Sequence, residues 1–237
     1  MQGFRSDRPI RRRLIKLGFS VLAGRKRAHW QDTFPGLKID RETGQILYFG
    51  ASVGTLSPSR LPQHASEITI VGAGPSIRQQ QLTRLSPGSA LLLNGAISLA
   101  KQLDPMTIFV EDERFVWRHF EMLRDTSADC PWFLSASVIR ALLEQDRTVL
   151  LGRRIGLIDN LLKPVPALAG ILDGQKVFSL EPERGIMPVG TVAYTAMQFA
   201  VASSPHLIGL AGVDLSNANQ PRFYEAKGNT APSGIVR

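Results

Sequence analysis

The first residues whose types and spacing suit chemistry are Gly72-Ala73-Gly74-Pro75-Ser76-Ile77, directly after the apolar run Ile68-Thr69-Ile70-Val71. Two glycines, a proline that fixes its own φ and a serine expected at a helix N-cap describe a strand-to-helix turn whose amides can hold a phosphate. A second apolar run, Ala90 to Leu93, ends in Asn94-Gly95, a polar side chain at a strand tip that could equally cap the next helix. A third, Thr107 to Val110, ends in Glu111-Asp112-Glu113-Arg114. Some of these acids serve only the start of the following helix, while Asp112 and Arg114 fall on the edge where ligands bind. Met187-Pro188-Val189-Gly190-Thr191 opens another helix in a phosphate-compatible way. A last apolar run, His206 to Ala211, leads into Gly212-Val213-Asp214-Leu215-Ser216-Asn217 and then Pro221-Arg222-Phe223-Tyr224-Glu225. Asp214 suits a nucleotide ribose, and Arg222 with Tyr224 a departing phosphate.

Other chemistries find less support. The turn lacks the third glycine of a dinucleotide fingerprint, carrying Ile77 instead, and Asn94 stands where an acid would bind the adenosine ribose, which disfavours a dehydrogenase. There is no Walker A motif and no Cys/His pair. One cysteine, Cys130, cannot form a disulfide within the chain, and His29, His64, His119 and His206 have no metal-ligand spacing, so neither metal nor cofactor is expected. Met197 and Phe199 read as core residues, given their apolar neighbours.

The elements that must position these residues alternate. Short, continuously apolar runs at Ile68–Val71, Ala90–Leu93, Thr107–Val110, Trp132–Leu134 and His206–Ala211 read as strands covered on both faces. Between them lie helical patterns at Ser76–Leu85, Ala96–Gln102, Glu113–Arg124, Ser135–Gln145 and Thr191–Ser203. The fold class is α/β and Rossmann-like, a mainly parallel sheet with helices on both faces and the ligand at the carboxyl ends of its strands. Gln45–Phe49 reads as a hairpin strand and Gly50–Pro62 as a Gly/Ser/Pro-rich connector, dividing the chain into an arm and linker (1–62) and a body (63–237).

With 237 residues, 43% hydrophobic and 20% charged, the chain can bury a core without disulfides, and the cytoplasm is its natural compartment. Its charge is localised. Met1 to Arg41 holds 11 Lys/Arg against three Asp, which is the whole net +8, and the remainder is neutral. That argues against nucleic acid and for a local anionic partner. Arg11 to Arg27 is a basic amphipathic segment whose apolar centre is too short to span a membrane. It reads either as a helix lying on an anionic membrane surface or as a solvated basic extension.

The motif series Val71-Gly72-Ala73-Gly74-Pro75-Ser76, Leu93-Asn94-Gly95-Ala96, Asp112-Glu113-Arg114-Phe115, Gly190-Thr191-Val192-Ala193-Tyr194-Thr195-Ala196, Gly212-Val213-Asp214-Leu215, Arg222-Phe223-Tyr224-Glu225 and Lys227-Gly228-Asn229 resembles the lipopolysaccharide-core Kdo transferases of the WaaZ (RfaZ) type. It is more distantly similar to bacterial sialyltransferases. The resemblance covers about Ile68 to Ser233 and is most specific from Thr191 to Asn229. It implies a single-domain, GT-A-like glycosyltransferase, peripheral on the inner membrane, moving Kdo or a related acidic sugar from a CMP-activated donor to a lipopolysaccharide-core saccharide without a metal. Gly72, Gly74 and Ser76 would then hold the nucleotide phosphate, Asn94 lie beside the donor, and Thr191 contact it from a helix start. Gly212 and Asp214 would form the cytidine site, Tyr224 stabilise the departing phosphate, and Asp112 and Arg114 face the acceptor. Ala73 replaces an asparagine of the sialyltransferases. Their catalytic histidine lies well beyond the Tyr224 position, so the chain ending at Arg237 implies another base, with Asp112 the candidate, or a C-terminally shortened protein. A non-catalytic nucleotide- or glycan-binding protein of the same fold is the alternative.

Overall fold

The computed structural model describes residues 9–22, 36–126, 129–161, 178–214 and 220–225. The basic triplet Arg25-Lys26-Arg27, the loop Leu215-Ser216-Asn217 and Lys227-Gly228-Asn229 lie outside the described residues.

Six strands form one sheet: β4 (Ile68–Val71), β5 (Ala90–Leu93), β6 (Thr107–Val110), β7 (Trp132–Ser135), β8 (Ile155–Ile158) and β9 (Ile208–Ala211). Their order is β8-β7-β6-β5-β4-β9 and every pairing is parallel. β4, β5, β6 and β8 are buried along their whole length, as continuous apolar runs require of strands covered on both faces. The chain steps outward from β4 to β8, then returns to place β9 on the other side of β4. The order therefore reverses between β4 and β9.

Helices α3 (Glu113–Arg124) and α4 (Ala136–Gln145) cover one face, and α5 (Val192–Ala202) covers the other. Each begins at the carboxyl edge with a recognisable cap position. Asp112 accepts from the Arg114 amide and Ser135 from the Val138 amide, while Thr191 precedes α5 without a side-chain cap bond. Phe199 on α5 meets Phe109 and Phe133 edge-on, at centroid distances of 5.3 and 5.1 Å, which pins the helix to the sheet and thereby places its first turn. Phe199 is buried and Met197 packs against the same cluster, as core residues should. Gln198, fully buried, accepts from the amides of Ser179 and Met187 (both 2.9 Å) and so ties the segment before α5 to the helix.

Several elements differ from the sequence pattern. The expected helix Ser76–Leu85 is two short 3-10 turns, Pro75–Gln79 and Leu82–Arg84, separated by an extended Gln80 whose side chain accepts from the Gly212 amide at 3.0 Å. The expected Ala96–Gln102 begins as a 3-10 turn at Asn94 and becomes α2 only over Ala100–Leu103. β8 has no continuous apolar run to mark it in the sequence, because Gly156 interrupts it; that glycine lets the Phe133 ring and Ser59 close on the strand. The Gly50–Pro62 stretch is no plain connector. β1 (Leu37–Ile39), β2 (Gln45–Tyr48) and β3 (Ala51–Thr55) form an antiparallel sheet, with Phe49 and Gly50 both at positive φ in the two-residue turn. Leu37, Ile39, Ile46, Tyr48 and Val53 join the core under α3 and α4, so residues 37–55 share the body's interior. The arm supplies α1 (Ile10–Leu22).

Candidate functional site

Ligands of open parallel sheets bind at the carboxyl ends of the strands where the order reverses, here between β4 and β9. The two strand ends are bonded together. The Gly72 amide donates to Ala211 O (2.7 Å) and the Gly74 amide to Gly212 O (2.8 Å). A β-carbon on Gly72 would overlap the Gly212 carbonyl, and one on Gly74 would overlap the Asp214 carboxylate. Both positions are glycine because the backbones approach this closely. Asp214 Oδ2 accepts from the Ser76 amide at 2.9 Å across 138 residues of chain. Ser76 is not the N-cap: Gly74 holds that place and Pro75 follows it. The anion seated on the Ser76 amide is thus Asp214's own carboxylate.

Beside this cluster stands the tip of β5. Asn94 adopts φ 44°, in the left-handed region that asparagine enters more readily than most non-glycine residues. It caps nothing, since Leu93 is the residue before the turn and no side-chain cap bond forms. Its Oδ1 is shielded from solvent and has no hydrogen-bond partner among the described residues. Next to it, the Tyr224 ring lies on Gly95 so closely that a β-carbon there would overlap the ring. The Tyr224 segment is held by the Phe223 amide donating to Ala73 O (3.2 Å), by Arg78 donating to Phe223 O (2.8 Å) and by an Arg222–Glu225 pair (2.8 Å). His119 meets the ring edge-on at 5.3 Å, from the point where α3 departs from helical geometry. Burial pushes the Tyr224 phenol up to about 12, so it remains a hydrogen-bond donor at neutral pH.

The three carboxylates after β6 diverge. Glu113 turns to Arg12 of α1. Asp112 receives the Arg114 amide (2.9 Å) and its guanidinium on both oxygens (3.0–3.1 Å). Glu111 accepts from the Thr195 hydroxyl of α5 at 2.8 Å. The structure therefore brings Gly72, Gly74, Ser76, Gly212 and Asp214 into direct contact, links the Tyr224 segment to them through Ala73, and lays the Tyr224 ring on Gly95, the residue after Asn94. Asp112 and Arg114 form their own pair at the β6 tip. Thr191 sits exposed at the α5 start, one turn from the Glu111 contact.

Roles for Glu111 and His119 were not assigned from the sequence. Glu111 lies in the acidic run, but its partner is 84 residues away. His119 carried a faint signal, four residues after Phe115, which also packs near Tyr224. Burial raises the Glu111 pKa, opposed by the Thr195 bond. The folded chain then holds this proton more tightly than the unfolded chain. Its stabilising contribution is complete below the ordinary glutamate range and is lost as pH rises through the raised value. Glu111→Gln, which keeps an acceptor for Thr195, should be more stable than the parent at about pH 8, with the advantage shrinking toward about pH 4. Urea melts at both pH values test this, and a pH-independent difference would exclude it.

A cleft of about 790 Å³ opens elsewhere, along β8, lined in part by Arg41, Arg60, Asp159, Glu183 and Arg184. Its guanidinium groups are already paired, Arg41 with Asp159 (2.7 Å), Arg60 with Glu183 (3.0 Å) and Arg184 with Glu181 (3.3 Å). Among the described residues no cluster of three or more His, Cys, Asp or Glu could hold a metal ion.

Fold and site together define a parallel α/β protein with polar groups gathered at its switch point. No protein-family model, curated protein or solved structure matches the chain significantly.

Proposed function

We propose that the protein is a glycosyltransferase of the lipopolysaccharide-core Kdo transferase kind, a single-domain GT-A-like enzyme that moves Kdo or a related acidic sugar from its CMP ester to a saccharide acceptor without a metal. One observation carries the reading: Asn94 Oδ1, shielded and without a hydrogen-bond partner among the described residues, on left-handed backbone at a strand tip, next in the chain to Gly95, which the half-buried, protonated Tyr224 covers. An orphaned acceptor of this kind costs about 1–3 kcal/mol unless a ligand supplies a donor, such as a sugar hydroxyl.

In this reading the acceptor hydroxyl oxygen bonds to the anomeric carbon as the bond to the phosphate oxygen breaks. CMP leaves with the electron pair, and Tyr224 donates to the phosphate where negative charge develops. Gly212 and Asp214 meet the cytidine, Asp214 using the oxygen not engaged by Ser76. Gly72 and Gly74 keep the backbone close enough for this contact. Thr191 reaches the donor from the start of α5, and Arg114 the acceptor. The hydroxyl proton passes to a carboxylate at the β6 tip. Asp112 stands there by position; Glu111, whose raised pKa brings it nearer the working pH of a general base, is favoured by its burial.

The test is CMP binding followed by turnover. CMP should raise the melting temperature and NAD should not, and CMP should be released from CMP-Kdo when core oligosaccharide is present. Asp112→Asn and Glu111→Gln should each leave the CMP-induced shift intact, and the one that removes the base should slow release about 10²–10⁴-fold. Normal CMP affinity without any release selects a non-catalytic nucleotide- or glycan-binding protein. Stabilisation by NAD alone refutes both.

A further inference from the structure

In α1 the residues Ile10, Leu14, Leu17 and Val21 follow the spacing i, i+4, i+7, i+11, which at 3.6 residues per turn confines them to a stripe about 60° wide. An amphipathic helix on a globular body ordinarily turns such a stripe inward. Here it faces out: the four side chains are 74%, 63%, 62% and 77% exposed. The side pressed into the protein, about 180° from the stripe, carries Arg12, the one buried residue of the helix. Arg12 pairs with Glu113 and, at 3.5 Å, with Glu144; Arg11 reaches the same Glu144 at 3.0 Å. An ionic clamp thus holds the helix with its apolar face displayed.

Arg11 and Arg13, both exposed, flank the stripe on its two sides, within a segment that carries the chain's entire net positive charge. An apolar strip bordered by cations matches an anionic bilayer, where the side chains enter the acyl boundary, Arg13 meets phosphates and Arg11, held on Glu144, adds to the positive field. A second copy of the chain would present the same arginines and so repel. Among the described residues no helix is long and apolar enough to cross a membrane, and this one has the form of a helix that lies on the surface. The clamp residue Glu113 directly follows Asp112, so a bilayer bound to this stripe is held at a set position relative to the β6 tip.

We propose that the outward stripe Ile10, Leu14, Leu17 and Val21, with Arg11 and Arg13, is a docking face for an anionic membrane surface. This rests on α1 and its clamp, not on the nucleotide reading, and is measured without any donor. The full-length protein should co-sediment with vesicles of phosphatidylethanolamine and phosphatidylglycerol and not with phosphatidylcholine alone. Leu14→Asp with Leu17→Asp should weaken that binding about tenfold or more while leaving the melting temperature unchanged, because these side chains touch solvent. Equal binding to both vesicle types, no binding to either, or undiminished binding by the double variant overturns the proposal. So does a dimer in sedimentation velocity that the double variant dissociates, since the stripe would then belong to a second copy.

Discussion

Gly95→Ala should abolish the CMP-induced rise in melting temperature and slow CMP release by at least about 10²-fold, the scale of losing one transition-state hydrogen-bond donor. The reasoning is steric. Even a methyl group at position 95 overlaps the Tyr224 ring, and neither partner has room to yield. Gly95 is buried within a 3-10 turn that closes directly on β5. The ring is held from the other side by His119 and Phe223, and its backbone by Ala73 and Arg78. Overpacking of this kind costs about 1–3 kcal/mol, which the segment can relieve only by withdrawing Tyr224 from the β5 tip. Tyr224→Phe separates the two contributions. It keeps the packing and removes the hydroxyl, so CMP should still bind while its release slows. If Gly95→Ala binds and turns over as the parent does, Tyr224 is not part of the site.

What the sequence made legible was local. The continuous apolar runs of β4, β5 and β6 could be read directly, because a strand covered on both faces has no polar alternation to confuse. The candidate residues at their tips were legible for the same reason: once the strands are placed, the edge follows. Pairings over long separations were not. Nothing near Ser76 announces that Asp214 will fill the anion position at its amide, and that contact reverses the simple reading of the glycine turn as an empty phosphate seat. Nor does the acidic run after β6 show that its three carboxylates will be taken by α5, by Arg114 and by α1 in turn. Successive side chains leave a strand end in different directions, and only the assembled helices decide what each one meets. The helical pattern at Ser76–Leu85 failed where Gln80 left it to bond the Gly212 amide, a tertiary contact that outweighed local propensity. In α1 the apolar periodicity was visible, but the burial of Arg12 on its opposite side was not.

That burial sets the second large effect. Arg12→Ala should destabilise the fold by about 3–5 kcal/mol, which for a chain of this size is roughly 10 °C in Tm. The side chains of Arg12, Glu113, Glu144 and Arg140 are respectively 4%, 6%, 6% and 1% exposed, so removing Arg12 takes from the buried Glu113 the cation it pairs with, with little water to replace it, while Glu144 keeps Arg11 and Arg140. The loss is bounded, because α1 can peel away and let solvent reach both acids; cleavage by trypsin at Arg11 or Arg13 should accelerate if it does. Replacing the pair with apolar residues of similar volume, Arg12→Met with Glu113→Met, should recover most of the loss, since a buried ion pair contributes little net stability over a packed hydrophobic one. Glu144 keeps Arg11 and Arg140 in that variant. Melting curves of the parent, the single and the double variant decide the matter. A single variant as stable as the parent would mean that Arg12 does not hold α1, and a double variant as unstable as the single would locate the loss in the helix contact rather than in stranded charge.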